Sequence, residues 1–350
     1  MLNPTDDVRI RHLRPLLPPA ILMEEFPNDG QACRTVADGR AAMARILAGS
    51  DDRLAVVVGP CSIHDPKAGL EYARKLKVMA DRYRDDLQVV MRIYFEKPRT
   101  TIGWKGLIND PHLDDTYKIN EGLRAARGFL LDVNHLGLPA GTEFLDPITP
   151  QFIADLVAWG AIGARTAESQ VHRELASGLS MPVGFKNGTR GTIQLAIDAI
   201  GSAKHPHHFL SVTKQGVAAI VATKGNPECH LILRGGSSGP NYHLQDVASA
   251  VERLQKAGLP TRLMIDCSHA NSGKDHVRQA DVVCEVAEQI ATGEHVAGIM
   301  MESFLEDGRQ DHQTVADLTY GQSITDACMG WERTEPLFEV LSAAVRRRRS

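Results

Sequence analysis

The chain has 350 residues, 43% of them hydrophobic and 23% charged, with a formal net charge of −4. That is ordinary soluble globular composition, and the negative balance argues against nucleic acid or a membrane surface as a partner. No apolar stretch approaches the ~20 residues that a membrane span needs. The first seven residues lack the basic and apolar regions of a signal peptide, and the six cysteines contain no Cys-x-x-Cys pair. No disulfide framework is implied, so the expected compartment is the reducing cytoplasm. The run Arg346–Arg349 is the one local excess of charge and reads as a solvated tail.

In chain order, residues 1–50 read as an N-terminal extension with a helix around Ala32–Leu47. From residue 51 a unit recurs: a short apolar run, a polar turn, then a helical pattern. The runs are Leu54–Val58, Val89–Phe95, Ala140–Phe144, Ala161–Arg165, Pro182–Phe185, His230–Leu233, Arg262–Ile265 and Val296–Met301. They are rich in Val, Ile and Leu without alternation, as parallel strands buried on both faces should be. Between them, Leu70, Ala73, Leu76, Met79 and Tyr83 fall on one helical stripe, as do Phe152, Leu156 and Trp159. Eight such units predict a (β/α)8 TIM barrel over residues 51–350. A doubly wound open sheet is the alternative, but no strand is followed by a G-x-G-x-x-G turn. An extra pair of strand-like runs, Phe209–Val212 and Ala218–Ala222 with Gly216 at the turn, predicts an inserted β-hairpin at about 207–223. The cluster His205-Pro-His-His208 opens that hairpin and reads as structural.

In such a barrel the C-terminal ends of the strands carry the chemistry. Here they read Cys61; Arg92, Lys97, Arg99 and Thr100; Glu143; Arg165; Lys186; Arg234; Asp266 and His269; and Glu302. Several cations aimed at one mouth would repel each other without an anion between them. Guanidinium forks and ammonium groups suit phosphate and carboxylate oxygens. The implied substrate is small and strongly anionic. Cys61, His269, Glu302 and Asp326 would form a mixed ligand set for a borderline divalent ion if they met at the mouth. Spacing alone leaves open the other reading, in which Cys61 is a small buried hydrophobe.

The segments Gly59-Pro-Cys-Ser-Ile-His-Asp65, Tyr94-Phe-Glu-Lys-Pro-Arg-Thr100, Gly103-Trp-Lys-Gly106, Pro182-Val-Gly-Phe-Lys-Asn-Gly188, Leu233-Arg-Gly-Gly236, Asp266-Cys-Ser-His269 and Ser323-Ile-Thr-Asp326 together resemble class I 3-deoxy-D-arabino-heptulosonate-7-phosphate (DAHP) synthases. The likeness runs in order from about residue 6 to the C-terminus. It implies a homo-oligomeric barrel (of dimer or tetramer-of-dimers type) joining phosphoenolpyruvate to erythrose 4-phosphate, the first step of the shikimate pathway. It implies one divalent metal per subunit, Mn²⁺ favoured over Fe²⁺, Co²⁺ or Zn²⁺, on Cys61, His269, Glu302 and Asp326. Arg92, Lys97, Arg165, Lys186 and Arg234 correspond to the phosphoenolpyruvate pocket and Arg99 with Thr100 to the aldehyde phosphate, with Lys105 and Glu143 also expected to bind substrate. Lys97, Cys61 and His269 carry the catalytic expectation, with Lys97 suited to proton transfer.

The resemblance also implies an aromatic amino acid effector site away from the mouth. Its residues would be Asp6, Asp7 and Ile10 of the extension, Phe209, Ser211 and Val221 of the hairpin, and Phe144, Pro147, Gln151, Leu175, Leu179 and Ser180. Ser211 points to phenylalanine, Pro147 to tyrosine; Ser211 weighs more because its side chain narrows the room for a para-hydroxyl. Arg190 and Ala167 depart from the family pattern, which usually has Asp and Thr there. Two rival readings are an octulosonate-phosphate synthase, which uses a sugar phosphate one carbon longer, and a non-catalytic anion-binding barrel.

Overall fold

The computed structural model describes residues 5–99, 101–311 and 317–350. Eight parallel strands close into a barrel: β1 (Leu54–Gly59), β2 (Leu87–Arg92), β3 (Ala140–Glu143), β4 (Trp159–Ile162), β5 (Val183–Lys186), β8 (Cys229–Leu233), β9 (Leu263–Asp266) and β10 (Val296–Glu302). Their order around the barrel is β1-β10-β9-β8-β5-β4-β3-β2. The last strand closes on the first, with Ala55 opposite Gly298 and Gly59 opposite Glu302. β6 (His208–Val212) and β7 (Ala218–Ala222) form the separate antiparallel hairpin. The TIM barrel and the inserted hairpin are therefore as expected.

The outer layer comprises α3 (Pro66–Arg82), α4 (Ile119–His135), α5 (Pro150–Ile153), α6 (Gln170–Gly178), α7 (Gln194–Ala203), α8 (Leu244–Lys256), α9 (Arg278–Thr292) and α10 (Trp331–Arg349). Asp65 caps α3 by accepting from the backbone of Lys67 and Ala68, which satisfies two donors that a helix start leaves free. The stripe Ala73, Leu76, Met79 is buried against the sheet.

The extension contributes α1 (Pro19–Glu25) and α2 (Gly30–Ala48). α2 crosses the barrel floor. Its Met43, Ile46 and Leu47 join Val57, Val90, Trp159, Ile232 and Met300 in the interior cluster. Close approach depends on Gly39, where a Cβ would lie 2.7 Å from Pro139 Cβ and 3.0 Å from Ala158 Cβ, just before β3 and β4. Among the described residues α2 thus covers the floor, opposite the strand C-termini.

Two expectations are corrected. Trp159 is not on a helix: α5 is one turn long, a 3₁₀ turn follows at Ala154–Leu156, and Trp159 opens β4, paired with Gly141. Burying the indole inside the barrel outweighs continuing the helical stripe. The Arg346–Arg349 run is exposed at Arg346, Arg347 and Arg349, as expected, but it is not a loose tail. It is the last turn of α10, where Arg346 and Arg349 donate to the buried Asp86 at 2.7 and 2.6 Å, and Arg349 also reaches Asp52. Arg347 pairs with Glu288. Cations at a helix C-terminus also complement its dipole.

Candidate active site

The mouth holds a cavity of about 220 Å³ lined by Lys97, Arg99, Arg165, Lys186 and Arg234 together with Glu143, His269, Lys274 and Asp326. Five cations expected from sequence thus converge, and Lys274 joins them. Burial first, and then the charge of Arg165, holds the Arg234 guanidinium below its ordinary value, against the pull of Asp266. Such crowding favours an anionic occupant.

One pair at the mouth is internally compensated. Lys186 Nζ donates to Asp266 Oδ2 at 2.9 Å, and His269 Nδ1 approaches the same oxygen at 2.9 Å. Burial alone would raise the Asp266 carboxyl, but His269 and Lys186 hold it well below the carboxylate range. This contact orients the ring so that Nδ1 faces Asp266 and Nε2 faces Glu302 Oε1 at 3.9 Å. His269 adopts φ +56°, a left-handed conformation that non-glycine residues seldom take outside constrained sites.

On the neighbouring arc, ligand atoms of Cys61, Glu302 and Asp326 lie within 4.8 Å of one another. Cys61 Sγ is 3.7 Å from Asp326 Oδ2, and Lys97 Nζ is 3.0 Å from the same sulfur. Burial pushes the thiol up, and Glu302 adds to this while Lys97 opposes it. A sulfur and two carboxylates, with the outward Nε2 of His269 beside them, form a donor set that fits a borderline divalent cation. Gln279 Oε1 accepts from the Glu302 backbone, and Arg92 Nη2 donates to Glu302 Oε1 at 2.8 Å, so the carboxylate is fixed from behind.

Some expected residues are placed differently. Arg92 is fully buried below the cavity, its guanidinium 3.5 Å from the Tyr94 ring centre, and acts on Glu302 rather than on the cavity surface. Lys105 is exposed and outside the lining; its carbonyl instead accepts from the Lys97 backbone at 2.8 Å. Thr100 lies outside the described residues. Glu96, a strand-end residue given no role from sequence, is buried and accepts from Thr149; burial and nearby Asp146 raise its carboxyl to about 8. Thr189 and Lys274 were also missed, although the turn signal Ser272-Gly273-Lys274 so soon after His269 could have flagged the latter.

A second cavity, of about 360 Å³, lies on the outer wall between α5, α6 and the hairpin. Pro147, Gln151, Leu175, Leu179, Ser180, Phe209, Ser211 and Val221 all line it, with Arg40, Asp155 and Lys214 among the other walls. Phe144 is fully buried below, its ring against Gly160. Asp6, Asp7 and Ile10 are exposed and do not line it within one chain, because the arm docks elsewhere: Leu17 N donates to Asn120, and Arg14 to the Tyr117 carbonyl. Of the two departures, Ala167 is fully buried and Arg190 is exposed, its carbonyl accepting from Ser238. Among the described residues no helix is long and apolar enough to cross a membrane.

A TIM barrel with a covered floor, a cation-ringed mouth and a sulfur–carboxylate cluster on one arc defines a barrel enzyme for small phosphorylated or carboxylated substrates. The DAHP synthetase I family matches residues 27–339, and the chain belongs to that family. It is 60% identical over 345 residues to the Phe-sensitive phospho-2-dehydro-3-deoxyheptonate aldolase of Escherichia coli (strain K12), covering 98% of each chain. It is 54% identical to the tyrosine-inhibited enzyme of Schizosaccharomyces pombe, over 98% of this chain and 94% of that one. The solved structure of the corresponding aldolase from Francisella tularensis SCHU S4 superposes with a TM-score of 0.96 at 54% identity, covering 97% of this chain and all of the other.

Proposed function

We propose that the chain condenses phosphoenolpyruvate with erythrose 4-phosphate and water to give DAHP and inorganic phosphate, opening aromatic amino acid biosynthesis. The observation that carries this is the one cavity lined by six cations next to the Cys61–Glu302–Asp326 cluster. Arg165, Lys186 and Arg234, at or just past the C-terminal ends of the adjacent strands β4, β5 and β8, take the carboxylate and phosphate of phosphoenolpyruvate. Arg99, with Thr100, takes the aldehyde's phosphate. The methylene carbon of phosphoenolpyruvate bonds to the aldehyde carbon, and the aldehyde oxygen gains a proton. Water adds at the former enol carbon, and the carbon–oxygen bond to phosphate breaks. Lys97, buried with its ammonium at the cavity, supplies the proton. A divalent ion held by Cys61, His269, Glu302 and Asp326, Mn²⁺ for preference, supplies Lewis acidity when bound.

The outer cavity takes an aromatic amino acid, and phenylalanine is the effector: Leu175, Leu179, Phe209 and Val221 give the ring an apolar wall, and the Ser211 side chain narrows the room for a para-hydroxyl. The high identity to a relative named Phe-sensitive supports this choice. The chain works as a homo-oligomer, in which Leu210 and Ile220, 85% and 76% exposed and paired on the outer hairpin face, meet a second copy. The arm of that copy brings Asp6, Asp7 and Ile10 to the effector cavity.

Phosphate release from the two substrates, with and without chelator, tests the reaction. Turnover that is lost with chelator and restored by Mn²⁺ is expected. No release from the pair, or full turnover in a metal-free preparation, refutes it; preference for arabinose 5-phosphate in direct competition would assign the octulosonate reaction instead.

A further inference from the structure

Three buried asparagines tie together the strand ends that carry the phosphoenolpyruvate cations. Asn187 follows Lys186 at the end of β5, Asn241 lies in the loop after β8, and Asn271 in the loop after β9; they are 0%, 9% and 3% exposed. β5, β8 and β9 are neighbours in the barrel. Asn187 Oδ1 accepts from the backbone N–H of Arg234 at 2.8 Å and from Asn241 Nδ2 at 3.1 Å. Its Nδ2 donates to the carbonyls of Gly188 and Gly235, both at 3.0 Å. Asn241 Oδ1 accepts from Gly235 N at 2.7 Å, and Asn241 N donates to Asn271 Oδ1 at 2.9 Å. Asn271 Nδ2 completes the web, donating to the carbonyls of Leu233 and Asp266 at 3.1 and 2.8 Å.

The web grips the backbone on both sides of Arg234. That matters because the Arg234 guanidinium makes one hydrogen bond among the described residues, to the carbonyl of Gly235 at 3.3 Å. Its aim is therefore set by its main chain rather than by side-chain partners. Gly235 is part of the same device: at φ +70° it turns the chain beneath the cavity, and a Cβ there would sit 2.8 Å from both Asn271 N and Asn271 Oδ1. The far end of the web holds the carbonyl of Asp266, whose carboxylate receives Lys186 and His269. Asparagine suits the task because an amide both donates and accepts without charge. A carboxylate in its place would add a negative charge where the substrate's own anion must be held.

We infer that Asn187, Asn241 and Asn271 are positioning residues for phosphoenolpyruvate, fixing Arg234 relative to the Lys186–Asp266 pair so that both cations reach one anion. This rests on the reaction proposed above. The test is calorimetric titration of the metal-loaded full-length enzyme with phosphoenolpyruvate alone, alongside steady-state kinetics. In Asn241→Ala the dissociation constant and the KM for phosphoenolpyruvate rise about tenfold, since the cost of a lost buried hydrogen bond falls on that one substrate's site. The KM for the aldehyde stays within about twofold and kcat within about threefold. Asn271→Ala leaves in place the Asn241 contacts to Gly235 N and to Asn187, and so acts on Arg234 one step further away; it gives the same split to a smaller degree. Asn187→Ala would lose four bonds and is the variant most exposed to misfolding, so the test relies on the other two. Wild-type enzyme that fails to bind phosphoenolpyruvate would sink the proposed reaction itself. Wild-type enzyme that binds it, with Asn241→Ala and Asn271→Ala binding within twofold or losing both substrates in proportion, would overturn the positioning role alone.

Discussion

His230 offers a test of how dry the barrel interior is. It lies on β8, two residues before the interior Ile232, so both point into the barrel. It is 2% exposed; Trp159 Nε1 donates to its Nε2 at 3.3 Å, and its Nδ1 faces the Glu228 carbonyl at 3.4 Å. Burial lowers its pKa from 6.5 to about 4, with the Glu228 contact opposing. The unfolded chain then binds a proton between about pH 6.5 and 4 that the folded chain refuses. Stability is accordingly full above pH 6.5 and is lost as pH falls through that window. From those two values the loss is about 2 kcal/mol at pH 5 and about 3 kcal/mol at pH 4, relative to pH 7.5. His230→Gln removes the titration while keeping an acceptor for the indole. Urea denaturation followed by circular dichroism at pH 7.5 and pH 5, at fixed protein concentration, should show the wild-type loss exceeding the variant's by about 2 kcal/mol. Equal losses in the two proteins would show that water reaches the imidazole and that the interior is not dry.

Arg234→Ala should raise the KM for phosphoenolpyruvate tenfold or more, with little change for the aldehyde, because a charge-assisted contact is worth about 1.5–3 kcal/mol; equal loss toward both substrates would mean the pocket is misplaced. Cys61→Ala should weaken Mn²⁺ binding strongly while circular dichroism and the unfolding midpoint remain near wild type, and unchanged metal affinity by equilibrium dialysis would remove Cys61 from the ligand set. Phenylalanine should inhibit initial rates more than tyrosine or tryptophan does, and Ser211→Gly should shift the preference toward tyrosine; an unchanged preference would discard the steric role of Ser211.

Much of the barrel was legible because buried parallel strands are rich in apolar residues without alternation, most plainly in β1, LAVVVG, and β10, VAGIMME. All eight runs overlap observed strands, and the hairpin was found from its two short runs with Gly216 between them, a glycine that adopts φ +77°. What sequence could not supply was depth. Arg92 and Arg234 look alike on paper, yet one lies in a sealed layer against Tyr94 and Glu302 while the other lines the cavity. Nor does a one-dimensional pattern show that Lys186 is neutralised by Asp266, or that Lys105 serves through its carbonyl. Trp159 looks helical because one short turn of real helix precedes it, and helical spacing persists by chance over so few residues. The asparagine web gives no signal at all: its members are far apart in the chain, and isolated asparagines read as turns.

The closing contact between β1 and β10 sets a constraint on how the molecule is made. Ala55 finds its partner in Gly298, and the Asp86 that ends the turn before β2 waits for Arg346 and Arg349 at the far end of the chain. During synthesis the outer edge of β1 is thus an unpaired row of backbone groups, flanked by the apolar Val56 and Val58, until nearly the whole chain has emerged. Pairings so distant in sequence close slowly. The nascent barrel therefore spends its synthesis as an open, sticky sheet, and demand for chaperones should fall on the incomplete chain rather than on the finished enzyme.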